Sequence, residues 1–175
     1  MKITKVIVYY VDNVTGDIVS EEIIIDGFEG EEYTTTPADI PGYILVEDKY
    51  PENASGKHED SEEKVYYYYV RETSVEVTYV DVDTGEELAE KVIIEGAEGD
   101  SYTTEEKEIP YYVLVKVDNP DGEMKATVTK DEETGEEIVD TVTNVVYEYR
   151  KAVFDLRIEK TIAEVLVNGE NKKVG

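Results

Sequence analysis

Apolar and polar side chains alternate along much of this 175-residue chain. Val6, Val8 and Tyr10 occupy every second position near the start, and residues 75–79 repeat that spacing. A period of two places one set of side chains on the buried face of a strand and the other set outside. Val, Ile, Tyr and Thr dominate these segments, and such residues fit a pleated sheet. The pattern therefore predicts a mainly β fold.

The chain contains two copies of one sequence pattern, offset by 69 residues. The offset is shared by turn residues and by apolar residues, as in Gly16/Gly85, Gly27/Gly96, Gly30/Gly99, Tyr33/Tyr102, Pro41/Pro110 and Leu45/Leu114. A long period of this kind marks two copies of one folded module in series. We predict a first module at residues 1–72 and a second module at residues 73–151. Residues 152–175 repeat nothing before them and are predicted to begin a further, incomplete domain.

Turn residues divide each module into strands. Gly16 and Gly85 each follow a threonine between two apolar runs, and glycine there allows the positive φ that a bulged hairpin requires. A third strand is predicted to start at Tyr43, and the last strands are predicted at residues 65–70 and 145–150. Residues 71–74 join the modules without Gly or Pro, so we expect the joint to limit their relative motion.

One segment of the first module has helix signals. Thr36 can cap a helix, Pro37 suits its first position, and Pro41 stops it, which leaves room for about one turn. Residues 51–63 are predicted to form a polar loop. The second module is 11 residues longer, and its extra stretch contains Thr134-Gly135, which predicts a hairpin with arms at residues 126–130 and 138–142.

Charge and composition narrow the classes of function. The formal net charge is −26, from 43 acidic and 17 basic residues. Such a surface repels phosphate backbones and anionic lipid, which argues against nucleic-acid binding, and its plainest role is solubility. No stretch approaches the roughly 20 apolar residues that span a bilayer, so we predict no membrane insertion. The chain has no cysteine, which excludes disulfides and zinc–thiolate sites.

Candidate chemistry is sparse. Asp81, Asp83 and Glu86 could suggest a calcium loop, but the set of oxygen ligands falls short, and a hairpin turn is the favoured interpretation. His58, the single histidine, lies in the predicted polar loop. A catalytic triad would need a nucleophile and a base within its reach, and the sequence indicates none. The paired carboxylates lie in hydrated acidic stretches. We therefore predict no metal, no cofactor and no enzymatic activity.

Several blocks in fixed order resemble a known repeat family. They are Tyr10-Val11-Asp12 with Thr15-Gly16, the stretch 33–43 with its Tyr-Thr-Thr-Thr-Pro start, the Pro-Glu-Asn-Ala-Ser-Gly block at 51–56, and the tyrosine-rich strand. Together they resemble the mucin-binding protein (MucBP) repeat of Gram-positive surface adhesins, over about residues 3–151. The second module departs from it, with Tyr111 in place of Gly42 and with the inserted hairpin.

The resemblance implies two tandem β-grasp-like (ubiquitin-like) modules, each with a mixed sheet and at most one short helical turn. It also implies an extracellular position on the bacterial surface, with cell-wall anchoring through a region outside this sequence, as a monomer within a longer chain. Residues 154–160 are similar to the first strand of Ig-like stalk domains. In such domains Lys160 could form an isopeptide cross-link, although an ordinary surface lysine is the simpler interpretation.

The tyrosine pattern supplies the candidate site. Tyr67 belongs to a face that both modules keep, so it is predicted to be core, whereas the opposite face carries Tyr66 and Tyr68 in the first module alone. If the first and last strands pair, as the resembling fold implies, Ile7, Tyr9, Tyr66 and Tyr68 form one patch. A tyrosine offers a flat apolar face to a sugar ring and a hydroxyl for hydrogen bonds.

Two interpretations of this patch stay open. A loop or a preceding domain could cover it, or it could contact a ligand. If the patch contacts a ligand, the function is non-covalent adhesion to host mucin or other glycoprotein glycans, and the negative charge favours neutral sugars. The alternative function is a passive stalk or spacer that holds another domain away from the cell wall.

Overall fold

The structure is a computed structural model and describes residues 2–59 and 61–153. Within that part of the chain, strands account for nearly all of the regular structure, so the predicted mainly β fold is confirmed. The domain that was expected to begin near residue 152, and the cross-link at Lys160, lie outside the described residues except for positions 152 and 153.

The strands follow one another along the chain and are separated by turns and loops. They are β1 (Ile3–Asp12), β2 (Ile18–Phe28), β3 (Glu32–Thr34), β4 (Tyr43–Leu45), β5 (Ser55–Lys57), β6 (Glu62–Asp81), β7 (Val92–Ala97), β8 (Ser101–Thr103), β9 (Tyr112–Val117), β10 (Asp121–Glu123), β11 (Thr127–Lys130), β12 (Glu137–Asp140) and β13 (Val142–Lys151), with a 3-10 turn η1 at Glu47–Lys49. The predicted joint at residues 71–74 is part of β6. The inserted hairpin is confirmed as the antiparallel pair β11–β12.

Contacts divide the described chain into two compact units. The first contains residues 2–77, 91–105 and 119–145, and the second contains residues 78–90, 106–118 and 146–153. The predicted module boundaries, 1–72 and 73–151, stay a prediction.

In the first unit, the strands of the first module form a mixed sheet in the order β2-β1-β6-β4. Strand β1 runs antiparallel to β2 and parallel to β6, while β4 runs antiparallel to β6. The expected pairing of the first and last strands is therefore confirmed. The same unit contains the antiparallel pairs β6–β7, β3–β5 and β8–β10. In the second unit, β9 runs antiparallel to β13 from Tyr147 onward.

The alternating positions of the first module form its core as predicted. The buried cluster consists of Val6, Val8, Tyr10, Tyr33, Ile40, Val65, Tyr67 and Tyr69. Tyr67 is 0% exposed, its ring stacks on Tyr10 at 5.9 Å, and its hydroxyl is 2.7 Å from that of Thr35. The corresponding side chains of the second module, Val75, Val77, Tyr79, Val145, Tyr147 and Tyr149, are buried as well.

The predicted helical turn after Thr36 is wrong. The segment is irregular, and the Tyr69 hydroxyl donates to the Ala38 carbonyl at 2.7 Å while it accepts from the Ala38 N–H at 2.9 Å. In a helix that begins at Pro37 the Ala38 N–H would have no intrahelical partner, whereas its carbonyl would accept from the N–H of Gly42; that carbonyl accepts from the Tyr69 hydroxyl instead. Tyr149 holds Lys107 in the same way. The one 3-10 turn of the described chain, η1, lies after β4 instead.

Three hairpin turns are stabilised in the same way, by an aspartate side chain that accepts hydrogen bonds from the turn backbone. Asp12, Asp81 and Asp131 each accept two backbone N–H bonds through Oδ1, four residues before a glycine of positive φ. The pKa of the Asp81 carboxyl is lowered, chiefly by the hydrogen bond from the Asp83 N–H. Burial opposes this shift, and the hydrogen bond from the Thr84 N–H adds to it. These carboxylates are thus turn acceptors, in agreement with the favoured interpretation of the loop at Asp81.

The predicted polar loop at residues 51–63 is wrong in two respects. Residues 55–57 form β5 and residues 62–63 begin β6, and His58 is buried at 2% exposure. Strand β5 pairs with β3 and carries His58 inward, where Nδ1 lies 2.6 Å from the Thr4 hydroxyl and the ring meets Tyr33 edge-on at 5.5 Å. A methyl group on Gly27 would lie 2.7 Å from Nε2. His58 is therefore a core residue, although its polar neighbours in the sequence predicted an exposed loop.

Alkaline pH is expected to weaken the first module through its tyrosines. Burial, reinforced by Tyr50 and opposed by the Thr35 hydrogen bond, raises the pKa of Tyr67 to about 12. Because an unfolded tyrosine titrates near pH ~10, this contribution to stability is complete below about pH 10 and is lost as the pH rises towards about 12. Urea unfolding at stepped pH measures the effect.

The control for that series is Tyr67→Phe, which has no phenol proton at this position. It should lower stability by about 1 kcal/mol near neutrality, from the lost hydrogen bond, and should flatten the alkaline decline. A decline as steep in Tyr67→Phe as in the parent chain would show that other groups cause it.

Candidate ligand-binding face

The face of β1 and β6 turned away from the core carries a row of three rings, Tyr9, Tyr66 and Tyr68, which we call the tyrosine ladder. Parallel pairing sets Tyr9 opposite Tyr66, and their rings stack at 5.1 Å with an interplanar angle of 17°. Tyr66 and Tyr68 stack at 6.3 Å and 19°. The ladder is therefore a continuous aromatic surface of nearly parallel rings.

Exposure differs among the four predicted contact residues. Tyr66 is 38% exposed, and Tyr9 and Tyr68 are half-buried. Ile7, the fourth, is 6% exposed, because it sits between Ile24 of β2 and Lys64 of β6. The structure thus brings all four residues together on one face, with Ile7 as a packed support and the three rings reaching the surface.

Lysines border the ladder, a feature that the sequence did not reveal. Lys49 Nζ lies 5.1 Å from the centre of the Tyr68 ring and donates to the Asn13 side-chain oxygen at 2.8 Å. At the other end, Lys5 and Lys64 both approach Glu62, at 3.6 and 3.7 Å. Lys49 belongs to η1, and its approach depends on the pairing of β4 with β6, which leaves no local signal in the sequence.

The second module lacks this arrangement. The positions of Tyr9, Tyr66 and Tyr68 are taken by Thr78, Val146 and Glu148, and those of Lys5 and Lys64 by Ser74 and Asn144. The core tyrosines of the same strands are retained. The ladder is therefore a property of the first module that folding alone does not require.

The chain is thus a tandem repeat of a mainly β module. A model of the MucBP domain matches residues 5–70 and again residues 74–150. The chain belongs to the MucBP domain family, with two copies in tandem, which is a family of adhesion repeats rather than of enzymes. Among the described residues, none of the helical structure is long and apolar enough to cross a bilayer.

Two relatives are similar in sequence to part of this chain. Internalin J of Listeria monocytogenes serovar 1/2a is 39% identical over 114 residues, which is 62% of this chain and 13% of that protein. Internalin J of serotype 4b is 35% identical over 111 residues, 61% of this chain and 12% of that protein. The chain thus spans about an eighth of the length of these relatives.

Two solved structures are similar at low identity. One is the type 2 repeat of the mucus binding protein MUB from Lactobacillus reuteri, with 14% identity, coverage of 82% of this chain and 98% of that one, and a TM-score of 0.26. The other comprises domains 3–4 of the streptococcal high identity repeats in tandem of a cell surface protein, with 11% identity, coverage of 85% and 98%, and a TM-score of 0.26.

Proposed function

We propose that this chain is an adhesion segment of a Gram-positive surface protein and that its first module binds mucin or other glycoprotein glycans non-covalently. The observation that carries the proposal is the tyrosine ladder, three stacked rings on an outward face that the second module lacks. Membership of the MucBP family supports the class of ligand. The protein is proposed to be a longer chain, held at the cell wall through a region beyond this sequence.

The ladder has the chemistry that sugar recognition needs. The C–H face of a sugar ring packs on an aromatic ring, and phenol hydroxyls at the ring edges can bond its hydroxyl groups. Because Tyr9, Tyr66 and Tyr68 are already stacked, little side-chain entropy is lost on binding. Neutral sugars suit the overall charge of −26, although screening over about 8 Å at physiological salt limits long-range repulsion.

A graft from the second module tests the proposal. The triple variant Tyr9→Thr, Tyr66→Val, Tyr68→Glu gives the first module the side chains that the same fold already accepts in the second. We expect binding to immobilised mucin to weaken at least about tenfold, since ring stacking contributes about 0.5–1.5 kcal/mol per pair and 1.4 kcal/mol is a factor of ten. Biolayer interferometry measures the affinity.

The matched control changes the second module, with Val146→Ala on the corresponding face. This variant should bind mucin as the parent chain does. Equal binding by the graft and the parent would remove the ladder from consideration, whereas no binding by the parent to mucin or to its released glycans would favour the stalk, in which the modules serve as a spacer.

A further inference from the structure

The first and last strands of the first module, β1 and β6, are parallel neighbours in the sheet. Their register starts with Lys5 opposite Glu62. It ends with Asp12 opposite Tyr69, and just beyond it the Asn13 N–H donates to the Tyr69 carbonyl at 2.8 Å. Because the two strands run in the same direction, the chain enters the module at one end of this strand pair and leaves it at the other end.

This arrangement determines how the module responds to tension along the chain. A pull on the start of β1 and on the far end of β6 acts along the strand axes in opposite directions, so it tends to slide one strand past the other. The evenly spaced hydrogen bonds of a parallel pair then share the load. A pull that separates the two strands from one end would instead break those bonds one after another, which needs less force at any moment.

Aromatic rings oppose the same sliding on both faces of the strand pair. In the core, Tyr10 stacks on Tyr67 at 5.9 Å, and on the outward face Tyr9 stacks on Tyr66 at 5.1 Å. A slip of one residue would turn every side chain to the wrong face, and a slip of two residues moves the strands by about 6–7 Å. Under tension that slip sets Tyr9 opposite Lys64, so the stacked partner is lost before another ring comes within reach.

The loaded end of β6 is held by further strands. Strand β4 pairs with β6 up to Arg71, and β7 pairs with it from Glu72 to Val77. The strand itself is unbroken from Glu62 to Asp81. Tension at this end is therefore carried along the axis of β6 rather than taken up by a flexible joint.

We propose that the first module has a load-bearing function, in which the pairing of β1 with β6 acts as a mechanical clamp against tension along the chain. This function goes beyond ligand binding. It rests on the proposed attachment to the cell wall only for the source of the tension, whereas the resistance is a property of the strand topology. A module built in this way stays folded while a bound ligand and the cell pull in opposite directions.

Single-molecule force spectroscopy on the whole chain tests the clamp. The chain has no cysteine, so a pair of introduced cysteines defines the two points of attachment. Lys2→Cys with Glu72→Cys loads β1 and β6 in the sliding direction, and Lys2→Cys with Ser61→Cys pulls the same strands apart from one end. All three positions are exposed. We expect the sliding geometry to need a severalfold higher unfolding force at the same pulling speed.

The two attachment variants are matched controls for each other, because they share one fold and differ only in the direction of the load. Equal urea midpoints show that their stabilities agree. The length released identifies the module: at no more than about 3.6 Å per residue, full extension spans at most about 250 Å between residues 2 and 72 and about 210 Å between residues 2 and 61. Equal unfolding forces in the two geometries would overturn the proposal.

A proline substitution at one end of the clamp gives a second test. Asn13→Pro removes the N–H that donates to the Tyr69 carbonyl. It should lower the unfolding force in the sliding geometry and leave the other force unchanged, since separation starts at the opposite end of the strands. Asn13→Ala keeps the N–H and should change neither force. An equal loss of force in both geometries for Asn13→Pro would contradict the clamp, and mucin binding by the ladder plays no part in either measurement.

Discussion

Replacing Tyr67 with alanine is expected to lower the stability of the first module by about 4 kcal/mol, since removal of a buried aromatic ring costs about 3–5 kcal/mol. Tyr67 is fully buried, stacks on Tyr10, supports the ring of Tyr50 and bonds the Thr35 hydroxyl. The total free energy of unfolding of a small domain is only about 5–15 kcal/mol. Urea unfolding, followed by tyrosine fluorescence and circular dichroism, measures the loss.

The neighbouring residue provides the control. Tyr66→Ala removes an identical side chain one position earlier on the same strand, from the outward face, where it is partly exposed. Its expected cost is about 0.5–1.5 kcal/mol, the contribution of ring stacking with Tyr9 and Tyr68. Equal losses from the two substitutions would mean that the burial difference across β6 does not govern stability.

Adding one methyl group at Gly27 is expected to destabilise the first module by about 2 kcal/mol, within the usual 1–3 kcal/mol cost of overpacking. The new carbon of Gly27→Ala would lie 2.7 Å from Nε2 of His58, a rigid ring tied to Thr4. Strand β2 cannot yield freely because it pairs with β1. The change in the urea midpoint measures the effect.

The second module contains the matched substitution. Gly96→Ala would place its methyl group 2.8 Å from Sδ of Met124 and 3.0 Å from Oδ2 of Asp100. Both atoms lie at the ends of flexible side chains, so the expected cost is about 1 kcal/mol, less than that of Gly27→Ala. Met124 takes the place of His58, and the Thr73 hydroxyl donates to its sulfur at 3.4 Å.

The double variant Gly27→Ala, His58→Met should therefore recover most of the stability that Gly27→Ala loses. Failure of this rescue would show that the strain lies in the backbone of β2 rather than in the contact with the histidine ring. The cycle of single and double variants isolates that pairwise contact.

Much of the strand architecture followed from local pattern. Alternation identified the buried face of β1 and β6. The threonine–glycine pairs located the hairpins, and the positive φ angles of Gly16 and Gly135 agree with those predicted turns. These features depend on neighbouring residues along the chain, because the period of a strand and the conformation of a turn are set within a few positions.

Other features depended on contacts between distant residues. The helical turn expected after Thr36 does not form: the segment is irregular, and a hydroxyl 31 positions away bonds both the N–H and the carbonyl of Ala38. His58 is buried because β5 returns to β3, and its polar neighbours in the sequence gave no sign of this. Local propensity is a weak guide when tertiary bonds compete for the same backbone groups.

The order of residues is enough to identify a duplicated β module whose first copy carries an extra face of tyrosines, because duplication and alternation are properties of the sequence. The stacking of three tyrosines as a ladder, the burial of Ile7 and the approach of Lys49 to Tyr68 emerge only from the folded chain. The reason is physical: ring stacking, burial and cation approach are fixed by which strands become neighbours and in what register, and pairing partners far apart in the chain leave no local mark.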